Sequence, residues 1–577
     1  MSEVAESQVA GGTLGNARPT SPAKGRPVTA VAVVIAVATA LALALRVYYQ
    51  STRPGFLLGV TEYDDGPYFG SALRLAAGVL PYRDFVIVQP PGITLLLTPV
   101  ALVARGAGTA TGMELARILT MAVSGAGVVL AGLLVRRYGT LAVLITCGIM
   151  AVHPESIAAA HTVLVEPWLV LFCLIGALAL IDGDRLAHGR RLVWAGVSFG
   201  FAGAVEAWAI VPVLVGIALF WPRLKRAWPF CAGVAAGFVI PVLPFAAIAP
   251  RQFYNSVIVA QILRVSPAQT PVWGRLANIV GITNPTPDQE ATVLVIAIVV
   301  FVLMAAAVAA AWLISHRPPP LLERFAVLTS AVVIVMFCLA DQFYYHFVAF
   351  LVPFLATAIA VPVSRLVTGE PAADSPPAGE PLGDEPQASL PKTGPRKAGP
   401  PRGRGAHRRP VLWWVTAGLS VVAIVVVAVT QFRAESVRVY VIGPAPRPIE
   451  HIIPPGACVL TDQVSMTILA NRFYSDVPGC SQMVDSLATD LALSNGKKPS
   501  DGAGYVPAVA TFWRQAFAHA QLVLLSHNNA GRIAWTPALR AYFAASFVEL
   551  KSPWKQVTLY KRKGFDLSRA RAASRHH

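Results

Sequence analysis

Apolar and polar stretches alternate along this chain on the scale of a bilayer crossing, about 20 residues, rather than that of a strand or a surface helix. Apolar runs fall at 28–46, 115–135, 139–153, 163–181, 192–205, 207–221, 228–249, 290–314, 324–340, 346–365 and 411–430. The pattern predicts a polytopic α-helical membrane protein with about eleven transmembrane helices. Only Glu206 separates 192–205 from 207–221, which reads as a tight helical hairpin. The run 92–105 (GITLLLTPVALVAR) is short and carries Pro99, which suits an interfacial or re-entrant helix better than a crossing.

The connections fix the expected sidedness. With 92–105 in the interface and the N-terminus inside, the cytoplasmic loops hold Arg136-Arg137, Arg185 to Arg191, Arg223 to Arg226, Arg317 to Arg324 and the segment 366–410. The connections 154–162 and 341–345 then face outward, and neither contains Lys or Arg. Were 92–105 to cross, every basic loop would face outward, against the positive-inside rule. The expected order is a disordered cytoplasmic N-terminus (1–27) and a transmembrane domain (28–365) whose outer loop 47–114 carries interfacial helices. A disordered basic Pro/Gly-rich cytoplasmic linker (366–410) follows, then the last span (411–430) and an extracytoplasmic domain with a basic tail (431–577). Within that last part, β-type runs at 458–460, 522–525 and 557–560 alternate with helical stretches at 507–519 and 536–548. They predict a small α/β or α+β domain.

Composition agrees: 55% of the residues are hydrophobic and 13% charged, against about 25% charged in soluble proteins. The formal charge of +17 sits mainly between spans, where it orients the protein, so no nucleic-acid partner is implied. The Ala/Val/Gly/Arg-rich usage suggests a high-GC actinobacterium, and the location expected is the plasma membrane. Cys147, Cys173, Cys231 and Cys338 lie in apolar runs as small hydrophobes. Cys458 and Cys480 lie in the tail, where an extracytoplasmic location would permit a disulfide.

Candidate chemistry gathers at the outer boundary. In Thr61-Glu62-Tyr63-Asp64-Asp65-Gly66-Pro67-Tyr68-Phe69, Asp65-Gly66-Pro67 reads as a helix start with Asp65 as N-cap, opening an amphipathic interfacial helix. Asp64 has no such local role, and a carboxylate near the hydrocarbon edge is costly unless paired, hydrated or functional. Glu166, before Pro167, is either a favourable acid at a helix start or a second functional acid. His153, Glu155, His161 and Glu166 match no metal-motif spacing; no firm cofactor is implied, and a divalent metal stays open. Arg251, Arg264 and Arg275 in the loop 250–289 are surface charges or guanidinium forks for a phosphate. Asp341 and His346 bracket aromatics that otherwise resemble an interfacial belt.

The acidic pair with its following aromatics, then GVLPYRDF, QPPG, the Arg117 span ending in RRYG, VEP, QILR and FYYHF, resembles the GT-C membrane glycosyltransferases. Within them it looks like the protein-O-mannosyltransferase and lipid-A aminoarabinose transferase group, over about 28–365. The resemblance implies transfer of a sugar such as mannose or arabinose from a polyprenyl-phosphate donor to a cell-wall glycan, lipoglycan or protein, with inversion. It makes Asp64 or Asp65 the general base, Glu166 a sugar or acceptor contact, and Arg264 or His346 a holder of the donor phosphate. Tyr68, Gln89 and Asp341 join the substrate-binding set, although Gln89 stands where relatives carry a basic residue. The competing readings are a transporter or flippase, which would show inverted repeats and polar breaks at mid-membrane, and an inactive scaffold of the same fold.

Overall fold

The computed structural model describes residues 26–263, 270–283, 285–316, 318–368, 410–434, 446–527, 532–550 and 556–573. The segments expected to be disordered, 1–27 and 366–410, lie almost wholly outside the described residues. Each of the eleven apolar runs contains a helix. Seven helices are long and apolar enough to cross a membrane, or eight if the bent pair Thr140–Val152 and Pro154–Ala160 counts as one span. Glu166–Leu180, Ala207–Ala218 and Gly92–Ala107 are shorter apolar helices. The helices in Pro287–Ser315 and Val411–Gln431 are only 11% buried over their apolar windows. Their exposed Val, Leu and Ile faces are those of helices solvated by lipid. The chain is a multi-pass membrane protein.

Two ends can be told apart by their contacts. At one, Ser364 Oγ donates to the Tyr138 carbonyl at 2.6 Å, Asp184 accepts the Leu321 amide at 2.8 Å, and Arg365 pairs with Glu323 at 2.7 Å. These are the connections whose basic residues led the sequence to place them together. The acid-bearing segment and the C-terminal domain meet at the other end.

Two buried arginines are held mainly by backbone carbonyls. Arg46 donates to the carbonyls of Ala42, Ala151, Met150 and Ser156 and to Ser124 Oγ. Three of these carbonyls flank the 57° break after Val152, where helix hydrogen bonds are lost and acceptors are freed. Arg275 spends its Nη1 on the carbonyls of Phe337, Cys338 and Ala340 at the end of helix Leu321–Leu339. It is a C-terminal cap and not the anion ligand the sequence offered as one reading.

The C-terminal domain is α+β, one of the two forms its sequence left open. Its four strands, Val459–Thr461, Leu522–Ser526, Val557–Arg562 and Phe547–Leu550, lie in that spatial order, the first pair parallel and the others antiparallel. Cys458 and Cys480 form a disulfide, with Cα atoms 5.6 Å apart. Residues 547–548, read as the end of a helix, begin the edge strand: pairing with Val557–Arg562 overrides their local helical preference.

The domain sits directly on helix Asp65–Ala76. Phe69, Leu73, Val464, Ile468 and Phe473 share one buried cluster. Gly66 lets the two backbones touch: a Cβ there would lie 2.7 Å from Ser465 N. Every residue from Asp65 to Arg74 is buried. The helix is therefore enclosed between bundle and domain.

Candidate active site

The acidic run is shaped by how each carboxylate is held. Helix Asp65–Ala76 starts with Asp64 in the cap position, and no side chain caps it. The expected capping role of Asp65 is thus absent, because its carboxylate is used otherwise. Fully buried, it accepts from Arg117 Nη2 at 2.6 Å, Thr162 Oγ1 at 2.7 Å and Ser465 Oγ at 2.5 Å. Arg117 is also fully buried. It donates further to the carbonyls of Leu57 and Gly59 and, at 3.0 Å, to Thr162. A buried ion pair with its remaining sites filled is a clamp, here joining the loop, helix Thr109–Val135, the connection before Glu166 and the C-terminal domain.

Glu62 is held as well. Its carboxylate accepts from Tyr345 Oη at 2.8 Å and from the Tyr63 amide at 3.0 Å, and its backbone carbonyl from Gln463 Nε2 at 2.8 Å. Burial, and after it the charge of Asp64, push the Glu62 carboxyl above its ordinary range, with His346 opposing. Glu166, buried at its helix start, lies 2.7 Å from His346 Nδ1. The other ring nitrogen of His346 is 3.8 Å from Asp64 Oδ2, and the Tyr344 ring stacks on the imidazole.

Asp64 differs from these three. Its side chain keeps 20% of its surface exposed and takes part in no hydrogen bond among the described residues. It faces an imidazole that a second carboxylate orients, an acid–histidine–acid line with one open end. A hydroxyl brought to that end can be deprotonated.

Of the residues expected from sequence, Asp64, Asp65, Glu166 and His346 come together. Tyr68 and Gln89 form a separate buried pair, with Gln89 Nε2 donating to the Tyr68 oxygen at 3.1 Å. Asp341 is exposed, and Arg264 lies outside the described residues. His346 was read as a phosphate holder; the structure gives its ring two carboxylate neighbours. The sequence reading missed Glu62, Thr162, Tyr345, Gln463 and Ser465. Glu62 lay in the quoted run and could have been found there; Gln463 and Ser465 are some 400 residues away and carry no local signal. Among the described residues no three His, Cys, Asp or Glu side chains are grouped to hold a metal. The acids are instead taken up by Arg117, Tyr345 and His346. That donor set does not fit a metal, and no step is derived through one.

No family model matches the sequence, and no curated protein is detectably similar to it in sequence. In structure the chain resembles ArnT from Cupriavidus metallidurans bound to undecaprenyl phosphate, with a TM-score of 0.53 at 14% identity, covering 91% of this chain and 97% of that one. Against apo ArnT the TM-score is 0.54 at 13% identity, over 92% and 98% of the two chains. The apo oligosaccharyltransferase of Archaeoglobus fulgidus gives 0.50 at 12% identity, over 93% and 75%. The likeness is one of overall fold, extending over most of the chain.

Proposed function

We propose that this protein transfers a sugar from a polyprenyl-phosphate-linked donor to a hydroxyl-bearing acceptor at the outer face of the plasma membrane. The observation that carries the reading is the single open carboxylate: Glu62, Asp65 and Glu166 are tied down, and Asp64 is not. The fold adds support, since ArnT is solved with undecaprenyl phosphate bound. Asp64 accepts the acceptor's proton as its oxygen attacks the anomeric carbon, the glycosidic carbon–oxygen bond to phosphate breaks, and the lipid phosphate leaves with the electron pair. A single displacement inverts the anomeric centre. Glu166 and Tyr344 hold His346 against Asp64, and the Arg117–Asp65 clamp fixes the segment from which Asp64 projects, so the base is positioned before substrate arrives.

The acceptor is a cell-wall glycan, lipoglycan or secreted protein, the sugar mannose, arabinose or a relative, and the source an actinobacterium. A cavity of about 340 Å³ in the C-terminal domain, with Asp462, His527, Trp535, Arg540 and Tyr560 among its lining, begins one residue from Gln463, which touches Glu62. Aromatic faces beside a few polar groups suit a saccharide. The N-terminus lies inside, and the C-terminal domain outside. A thiol placed at 64 should react with an impermeant reagent in intact cells, and one at 137 should not.

The experiment is transfer of radiolabelled sugar by purified protein from a panel of polyprenyl-phosphate sugars, with the anomeric configuration of the product determined. Transfer with inversion is expected. Absence of transfer from every donor would overturn the reading in favour of transport or scaffolding.

A further inference from the structure

Arg532 belongs to the C-terminal domain, yet it reaches the acidic run. Its guanidinium carbon lies 3.7 Å from the centroid of the Tyr63 ring, one residue before Asp64. The ring is itself anchored: Tyr63 Oη donates to Asp485 at 2.8 Å and lies 3.2 Å from Ser486 Oγ. Asp485 is pinned in turn, accepting the Ala488 amide at 2.9 Å as a helix cap. Arg532 is therefore a stacked cation on a fixed platform.

Its Nη1 is shielded from solvent and without a hydrogen-bond partner among the described residues. Arg46 and Arg117, also buried near this end, fill their donors with carbonyls, hydroxyls and a carboxylate, whereas Arg74 leaves its Nε unpartnered and stacks on Phe473. A buried charged donor left unmade is unfavourable. The carboxylates whose charge reaches Arg532 are Asp485 and Asp64. The unfilled donor thus belongs to a guanidinium held over the ring of the residue next to the open carboxylate.

The chemistry assigned to this site needs a counter-charge at that place. The leaving phosphate gains negative charge as the glycosidic bond breaks, and preorganised donors aimed at it lower the barrier. Arg117 is already committed to Asp65, His346 faces Glu166 and Asp64, and Gln89 is neutral and bonded to Tyr68. A guanidinium fork with an open N–H is the donor that fits a phosphate oxygen.

We infer that Arg532 is an anion ligand that the C-terminal domain inserts into the site, and that it binds a phosphate oxygen of the lipid donor next to Asp64. The inference rests on the transferase reading. It makes the C-terminal domain part of the donor site as well as the acceptor side, so that the phosphate is gripped only when the domain is seated.

The test uses the full-length protein in lipid nanodiscs and measures binding of undecaprenyl phosphate, of undecaprenol and of inorganic phosphate to wild type, Arg532→Gln and Arg532→Lys. Wild type should prefer the phosphorylated lipid to the alcohol. Arg532→Gln should weaken phosphorylated-lipid binding by roughly 10- to 100-fold and leave undecaprenol binding unchanged. Arg532→Lys, which keeps the charge but not the fork, should fall between them. Undecaprenol binding doubles as the fold control. Should wild type and Arg532→Gln show the same preference for the phosphorylated lipid, this inference fails while the transferase reading stands. Should wild type show no preference, the transferase reading fails and takes the inference with it. Inorganic phosphate binding as tightly as the lipid, with the same dependence on Arg532, would overturn the lipid assignment in favour of a free-phosphate site.

Discussion

Two adjacent aspartates with opposite fates give the sharpest test of the site. Asp65→Asn removes a carboxylate on which three donors converge within 2.5 to 2.7 Å, at a fully buried position. It leaves the Arg117 guanidinium charged and uncompensated, a situation that costs about 3–5 kcal/mol. Asp64→Asn gives up only a 3.8 Å approach to His346 from a partly exposed side chain, so its stability cost should stay within about 1 kcal/mol. The effect on chemistry runs the other way: loss of a positioned general base should slow transfer by roughly 10²- to 10⁴-fold. Both variants, purified in detergent, would be assayed for thermal unfolding and for sugar transfer per mole of folded protein. The asparagine at 64 should melt with wild type and be nearly inactive. The asparagine at 65 should melt far lower, and Arg117→Met added to it should restore part of the loss by removing the orphaned charge. Full transfer by Asp64→Asn at wild-type stability would refute the assignment of the base. Wild-type stability of Asp65→Asn would refute the clamp.

Other consequences are as direct. Gly66→Ala puts a methyl 2.7 Å from Ser465 N, and backbone cannot swing aside as a side chain can; the expected cost is about 1–3 kcal/mol, read as faster proteolysis of the C-terminal domain in otherwise intact protein. Cys458→Ser with Cys480→Ser opens a loop of sequence separation 22 and should destabilise that domain by roughly 3 kcal/mol, measured as lost hydrogen-exchange protection in strand Leu522–Ser526. Burial raises Asp462 and Asp490 from 3.8 to about 7. Between those values the folded domain binds more protons than the unfolded chain, so their contribution to stability is full below pH ~4, falls as pH rises to ~7 and is flat above, by at most about 1.4 kcal/mol per pH unit for each group. Asp462→Asn should flatten the melting-temperature profile over pH 4–7, and an unchanged profile would remove Asp462 from this account.

The membrane architecture was legible because it rests on local composition: eleven apolar runs became eleven helical regions, and the connections around Tyr138, Asp184, Leu321 and Arg365 meet at one end. The strands at 459–461, 522–526 and 557–562 were legible for the same reason. Sequence also drew attention to Asp64, Asp65, Glu166 and His346, which the fold brings together across nearly 300 residues. It erred where a residue's role depends on what covers it. Asp65 looked like a cap because Gly66-Pro67 follow, but capping geometry is decided by a donor near the carboxylate, and here Arg117 and Ser465 arrive from elsewhere. Arg275 looked like a free cation in an outer loop until the end of helix Leu321–Leu339 supplied three carbonyls.

The contribution of the C-terminal domain was hidden for a further reason. Polar side chains such as Gln463 and Ser465 mean nothing by composition; they acquire roles because Gly66 permits backbone contact at that point. Once the domain is seated, Ser465 closes the shell of Asp65, Gln463 holds the Glu62 carbonyl, and the Tyr63–Asp485 bond brings Arg532 over the ring next to Asp64. Each of these contacts falls on one of four consecutive residues, 62 to 65. A segment gripped that way has little freedom of its own, so the position of the open carboxylate is set jointly by the membrane bundle, through Arg117 and Tyr345, and by the C-terminal domain. The domain is thus a structural part of the acid site, and displacing it would loosen Asp64 even though no residue of the bundle had changed.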